Sequence, residues 1–315
     1  MGASRVTRTS RALASGRMRY PYCKPQTSQA FLGRSTRQEN DLSTHTAANI
    51  GKRALVTGAS SGIGAAIARE LATLGVDLVL TARRRDALDA VAATCKGVKV
   101  EIVTADLGKP DAARELWAAA TAGGPIDILI NNAGFGYFRR FDEVDWARDA
   151  ELIELNMTSL VALARCFVDA RKASTGPAHM LNIASTGAYQ SVPNMALYAA
   201  SKAFVRNFSE GLHDEHRGTP LSVTCICPGG TETAFHAASG GGDYSWIANA
   251  STKSAEFVAH AAIRAMLRGK RTVVPGLFNK LSCFFVRFVT RRFASRLATQ
   301  VLGKPRFTLP ARRTT

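Results

Sequence analysis

Between residues 52 and 275, short apolar runs alternate with stretches in which apolar residues recur every three or four positions. The short runs predict strands at Arg53–Thr57, Val76–Ala82, Val98–Thr104, Ile126–Asn131, Ala178–Ala184, Leu221–Ile226 and Thr272–Val274. The periodic stretches predict helices at Ile63–Leu74, Asp86–Cys95, Asp111–Ala120 and Ala255–Arg268, with longer ones over 146–172 and 196–216. Strand–helix–strand alternation implies right-handed crossovers, and hence a doubly wound parallel sheet of seven strands covered on both faces. The expectation is a single α/β domain over 49–275, with ligands bound at the carboxyl ends of its strands.

The pattern changes at both ends. Residues 1–48 are rich in Ser, Thr and Arg and broken by Pro21 and Pro25. They lack the apolar core of a secretory signal. They read as an organellar transit peptide, a disordered extension, or translated sequence ahead of the start. Val6 stands where myristoylation wants Ser or Thr. Over 276–315, Leu281, Phe284, Phe285, Phe288, Val289, Phe293 and Leu297 follow helical spacing, with Arg287, Arg291, Arg292 and Arg296 interleaved. No apolar run approaches the roughly 20 residues that span a bilayer. A basic amphipathic helix over 276–302 suits a membrane surface, or packs on the domain or a second subunit.

Charge sharpens this division. The chain of 315 residues carries a net +17. Residues 1–38 hold 8 Lys/Arg and 257–315 hold 13, neither with any acid. The middle therefore has 20 basic residues against all 24 acids and is mildly acidic. A nucleic-acid binder is disfavoured, because the excess charge lies outside the expected domain. The six cysteines, at 23, 95, 166, 225, 227 and 283, show neither a disulfide framework nor metal-ligand spacing. They favour a reducing, cytoplasmic setting. Cys225 and Cys227 share one face of a strand and read as buried, inert thiols.

The candidate chemistry falls at strand ends. Gly58, Gly62 and Gly64 follow the first strand and open the first helix, so the backbone can approach a pyrophosphate at a helix N-terminus. The second strand ends in Thr81-Ala82-Arg83-Arg84-Arg85. No carboxylate is there to grip a ribose 2′-hydroxyl, and guanidiniums can pair a 2′-phosphate, which favours NADP(H) over NAD(H). Arg83 is the leading contact. Asp106-Leu107 after the third strand suits the adenine amine, and Asn131-Asn132-Ala133-Gly134 after the fourth allows close packing on the cofactor.

Tyr198 and Lys202 stand at i and i+4 and share a helix face. A neighbouring ammonium favours the phenolate, bringing a phenol of pKa about 10 towards the range of a general acid or base. Ser185, after the fifth strand, can hydrogen-bond a substrate oxygen. Asn156 can hold a proton-relaying water near Lys202.

Together, Thr57–Gly64, Asn131–Gly134, Asn156, Ser185, Tyr198-Ala199-Ala200-Ser201-Lys202 and Pro228-Gly229 resemble the short-chain dehydrogenase/reductase family over about residues 50–275. The resemblance implies a Rossmann-type single domain, a nicotinamide cofactor, no catalytic metal, and homo-oligomers built partly on the two long helices. It implies that Tyr198 is the general acid/base, Lys202 the ribose-binding partner that tunes it, Ser185 the group positioning the carbonyl, and Asn156 the support of the relay. It carries cofactor contacts onto Gly58, Ser60, Ser61, Gly62, Ile63, Gly64, Arg83, Asp106, Leu107, Asn132, Ala133, Gly134, Pro228, Gly229, Thr231 and Thr233. Gly230 departs from the family, which often has an apolar pair there.

The segment Ala234–Ala250, with Gly240-Gly241-Gly242, is expected to be a flexible lid. Its Phe235, Tyr244, Trp246 and Ile247, with Phe135, Tyr137 and Phe138, suggest an apolar pocket for a carbonyl or alcohol substrate. The sequence thus predicts an enzyme interconverting a carbonyl and an alcohol. The competing reading is a non-catalytic NADP(H)-binding scaffold of the same fold.

Overall fold

Seven apolar runs become β1 (Arg53–Thr57), β2 (Asp77–Thr81), β3 (Val100–Ile102), β4 (Ile128–Asn131), β5 (Ala178–Ile183), β6 (Leu221–Ile226) and β7 (Thr272–Val273). They form one sheet in the order β3-β2-β1-β4-β5-β6-β7, every pairing parallel. The computed structural model describes residues 50–172, 174–231 and 252–302. Central strands read as unbroken apolar runs because both their faces are covered; Ile128, Leu129 and Ile130 of β4 are all fully buried. β3 is shorter than its apolar run predicts. It lies at the sheet edge with one neighbour, and Glu101 at its centre faces solvent.

Helices cover each face. On one side lie α1 (Gly62–Thr73), α2 (Arg85–Ala92) and α7 (Ala255–Leu267), where Ile67, Leu71, Leu88, Ile263 and Met266 pack on the sheet. On the other lie α3 (Ala112–Ala122), α5 (Ser159–Arg171) and α6 (Ala196–Glu215), around Leu116, Leu163 and Phe167. Side-chain caps mark helix starts: Asp145 accepts from Arg148 N at 2.9 Å, and Ser254 accepts from Phe257 N at 3.1 Å.

The long helix predicted over 146–172 is not continuous. It runs as α4 (Trp146–Ile153), then a wide π turn (Glu154–Thr158), then α5. The π turn holds Asn156, which is buried and makes three tertiary hydrogen bonds. A local bulge of this kind re-aims one side chain without ending the helix. Beyond β7 come α8 (Leu277–Phe285) and α9 (Arg291–Leu302). No helix of the described residues is long and apolar enough to cross a membrane.

Candidate active site

The sheet order reverses direction between β1 and β4, which opens a crevice above their carboxyl ends. The turn after β1 is shaped by close contacts. Gly58 has φ of +64°, and a Cβ there would lie 2.8 Å from the Asn132 amide. A Cβ on Gly64 would press into the carbonyl of Gly58. Asn132 Nδ2 donates to the carbonyls of Thr57 and Gly58 at 2.9 and 3.1 Å. Thr57 Oγ1 accepts from the backbone N–H of Asn132 and Ala133. Thus the Asn-rich turn after β4 locks the glycine-rich turn after β1. The resulting cradle fits a pyrophosphate, because side chains are excluded and the α1 N-terminus points into it.

A cavity of about 1370 Å³ runs from this cradle across the ends of β4, β5 and β6. Gly58, Ser60, Ser61, Gly62, Ile63, Arg83, Asp106, Leu107, Asn132, Ala133, Gly134, Ser185, Tyr198, Lys202, Pro228, Gly229 and Thr231 line it. Gly64 and Asn156 do not; Gly64 sits behind the turn and Asn156 behind Gly134. Thr233 and the expected lid, Ala234–Ala250, fall outside the described residues.

The candidate reacting residues come from four elements. Tyr198 and Lys202 come from one face of α6, Ser185 from the turn after β5, and Asn156 from the π turn. Ser185 Oγ accepts from Gly187 N at 3.1 Å, and its hydroxyl is hydrogen-bonded to that of Tyr198. Lys202 is buried, donates to the carbonyl of Ile183 at 2.9 Å, and places Nζ 5.8 Å from the centre of the Tyr198 ring. Asn156 Nδ2 donates to Phe135 O and Ser201 Oγ, while its Oδ1 accepts from Phe135 N. A Cβ on Gly134 would lie 3.0 Å from Asn156 Oδ1 and 3.3 Å from Lys202 Nζ, so both polar groups flank one point.

The protonation balance differs from the sequence expectation. Burial pushes the Tyr198 phenol up to about 12, and only the hydrogen bond from Ser185 pulls it back. Burial brings Lys202 down to about 8. Desolvation acts on both groups and outweighs the expected help of one for the other.

A family model for short chain dehydrogenases matches residues 52–241. The chain is a short-chain dehydrogenase/reductase. It is 37% identical over 182 residues to an uncharacterized oxidoreductase of Myxococcus xanthus, covering 56% of this chain and 71% of that one. It is 34% identical to the very-long-chain 3-oxoacyl-CoA reductase of Anas platyrhynchos, covering 57% of this chain and 59% of the relative. A short-chain dehydrogenase from Sphingobium yanoikuyae, solved in complex with NADPH, superposes with a TM-score of 0.67 at 32% identity. That match covers 72% of this chain and 88% of the other. This short-chain dehydrogenase/reductase is therefore an NAD(P)-dependent oxidoreductase.

Several parts of its site lie elsewhere than the sequence suggests. Of the three arginines after β2, Arg83 and Arg84 line the cavity, but Arg85 pairs with Asp89 one turn along its own helix. Arg83 also reaches Glu151 at 3.4 Å. Phe135 lines the cavity, whereas Tyr137 and Phe138 are buried in the fold, the Tyr137 hydroxyl donating to Asp149. Leu155, Val192 and Met195 line the cavity instead. The chain after Gly229 turns towards Lys253, whose N–H donates to Gly230 O at 3.0 Å; a Cβ at Gly230 would strike Thr252 Oγ1.

Three contributions went unseen in the sequence. Gly136 backs the Tyr198 ring: a Cβ there would lie 2.5 Å from its Cδ2. The Gly134-Phe135-Gly136 spacing was the one available signal. Asn279 of α8 is buried against Gly229, where a Cβ would meet its amide at 2.5 Å. Finally, α8, α9 and the link between them furnish an apolar wall of the cavity through Phe278, Leu281, Phe285, Val289, Phe293 and Leu297. The segment read as an extension beyond the catalytic domain thus borders the site.

Proposed function

We propose that this short-chain dehydrogenase/reductase reduces an apolar ketone or aldehyde to the alcohol, with NADPH as its preferred cofactor. The observation that carries this reading is the Ser185–Tyr198–Lys202 group facing a cavity whose far walls are apolar. Bound NADPH supplies the hydride. The substrate oxygen lies between Ser185 and Tyr198, and Tyr198 gives it a proton. A phenol pushed up to about 12 by burial is protonated across the physiological range and so can serve as the proton donor. Lys202, titrating near 8, returns the proton and holds the nicotinamide ribose, and Asn156 supports the relay. Arg83 and Arg84, with no carboxylate among residues 81–85, favour the 2′-phosphate of NADPH.

The test is NADPH oxidation by the purified protein against a panel of ketones and aldehydes of increasing chain length. Tyr198→Phe should lower turnover by about 10² or more while cofactor binding, read by NADPH fluorescence, is kept. Undiminished turnover in that variant would remove Tyr198 from the mechanism.

A further inference from the structure

The outer surface of α8 and α9 is built unlike the rest of the molecule. Phe284, Phe285 and Phe288 form one cluster, with ring centroids 5.3–6.5 Å apart. All three are largely exposed: 47%, 58% and 71%. The same stretch carries Lys280, Arg287, Arg291, Arg292 and Arg296, all exposed. No carboxylate occurs anywhere in residues 257–315. The patch is anchored from below, since Asn279 and Cys283 on the inner side are buried. Some of its side chains serve two sides at once. Phe285, Val289, Phe293 and Leu297 line the substrate cavity and are also exposed to solvent. This end of the cavity therefore borders the patch.

We infer that α8 and α9 dock the enzyme on an anionic bilayer surface, so that an apolar carbonyl substrate enters the cavity from the lipid. Exposed aromatic rings interleaved with cations suit the headgroup boundary, where the rings enter the acyl edge and the guanidiniums meet lipid phosphates. A second copy of the chain suits the patch poorly. A two-fold contact would set these five cations against themselves with no acid to pair them. This inference rests on the apolar-carbonyl reading above and names the source of its substrate.

The test is flotation of the full chain with vesicles of phosphatidylcholine, with and without phosphatidylserine. Binding is expected only with phosphatidylserine. Because residues 1–38 also carry eight cations, the wild type alone does not decide the matter. Phe284→Ser/Phe288→Ser keeps every charge and leaves the cavity lining intact, and it should lower the bound fraction about tenfold. Arg287→Gln/Arg291→Gln keeps the rings and should lower the fraction bound to phosphatidylserine vesicles several-fold. Both variants should match the parent in melting temperature and in turnover of a short, water-soluble ketone. Equal flotation of the parent and both variants would overturn the inference. So would a dimer, seen by analytical ultracentrifugation, that Phe284→Ser/Phe288→Ser dissociates. Failure to reduce any carbonyl would instead sink the catalytic reading, and flotation does not depend on it.

Discussion

Lys202 opposes the fold that holds it. Burial lowers its titration from 10.5 to about 8. Between those values the unfolded chain binds a proton that the folded chain does not, so stability rises with pH across that window. Below pH 8 both states carry the ammonium, and its burial cost is fully present. Replacing it with methionine removes this dependence. We predict that urea unfolding of Lys202→Met and of the parent will show the parent gaining, relative to the variant, up to about 3 kcal/mol between pH 7 and 10.5. A pH-independent gap would mean that Lys202 does not titrate as its burial implies. The i, i+4 spacing of Tyr198 and Lys202 was legible because helix geometry alone sets it. The direction of the Tyr198 shift was not, since it depends on how much solvent reaches the phenol, and that is settled by distant residues such as Gly136 and Ser185.

At the scale of elements, the π turn shows where periodicity fails as a guide. Hydrophobic spacing over 146–172 is compatible with a continuous helix. The interruption comes from Asn156, whose amide bonds both polar groups of Phe135 and the hydroxyl of Ser201. Those partners lie 21 and 45 residues away and leave no mark in a local window. Asn156→Ala should cost about 1–3 kcal/mol of unfolding free energy, because it leaves buried backbone groups unsatisfied. Turnover should fall with it, since the chain from Gly134 to Gly136 would lose its anchor beside Tyr198. Measured stability within about 0.5 kcal/mol of the parent would contradict this account. Elsewhere the elements were well read. Strands buried on both faces read as apolar runs and differ from prediction by two residues or fewer, while β3, at the edge and half-solvated, falls furthest short of its predicted length.

For the whole molecule, the cofactor crevice should make stability depend on ligand. At about 100 times its dissociation constant, NADPH adds about 2.7 kcal/mol, or a rise of several degrees in melting temperature. NADH at equal concentration should raise it less. Arg83→Ala should reduce the NADPH shift and leave the NADH shift nearly unchanged. Equal reduction of both would remove the basis of the cofactor preference. The sequence by itself determined the parallel sheet, the turns at its strand ends and the grouping of Ser185, Tyr198 and Lys202 at one cavity. Each of these follows from short-range rules: apolar periodicity, glycine where backbone must approach a ligand, and helical spacing. Only the tertiary structure decided that α8 and α9 border the cavity, that Asn279 seats on Gly229, and that Arg85 turns away from the crevice. These contacts join residues distant in the chain, or choose between partners of equal local merit. Packing of the complete fold makes that choice, because only there are burial and charge weighed together.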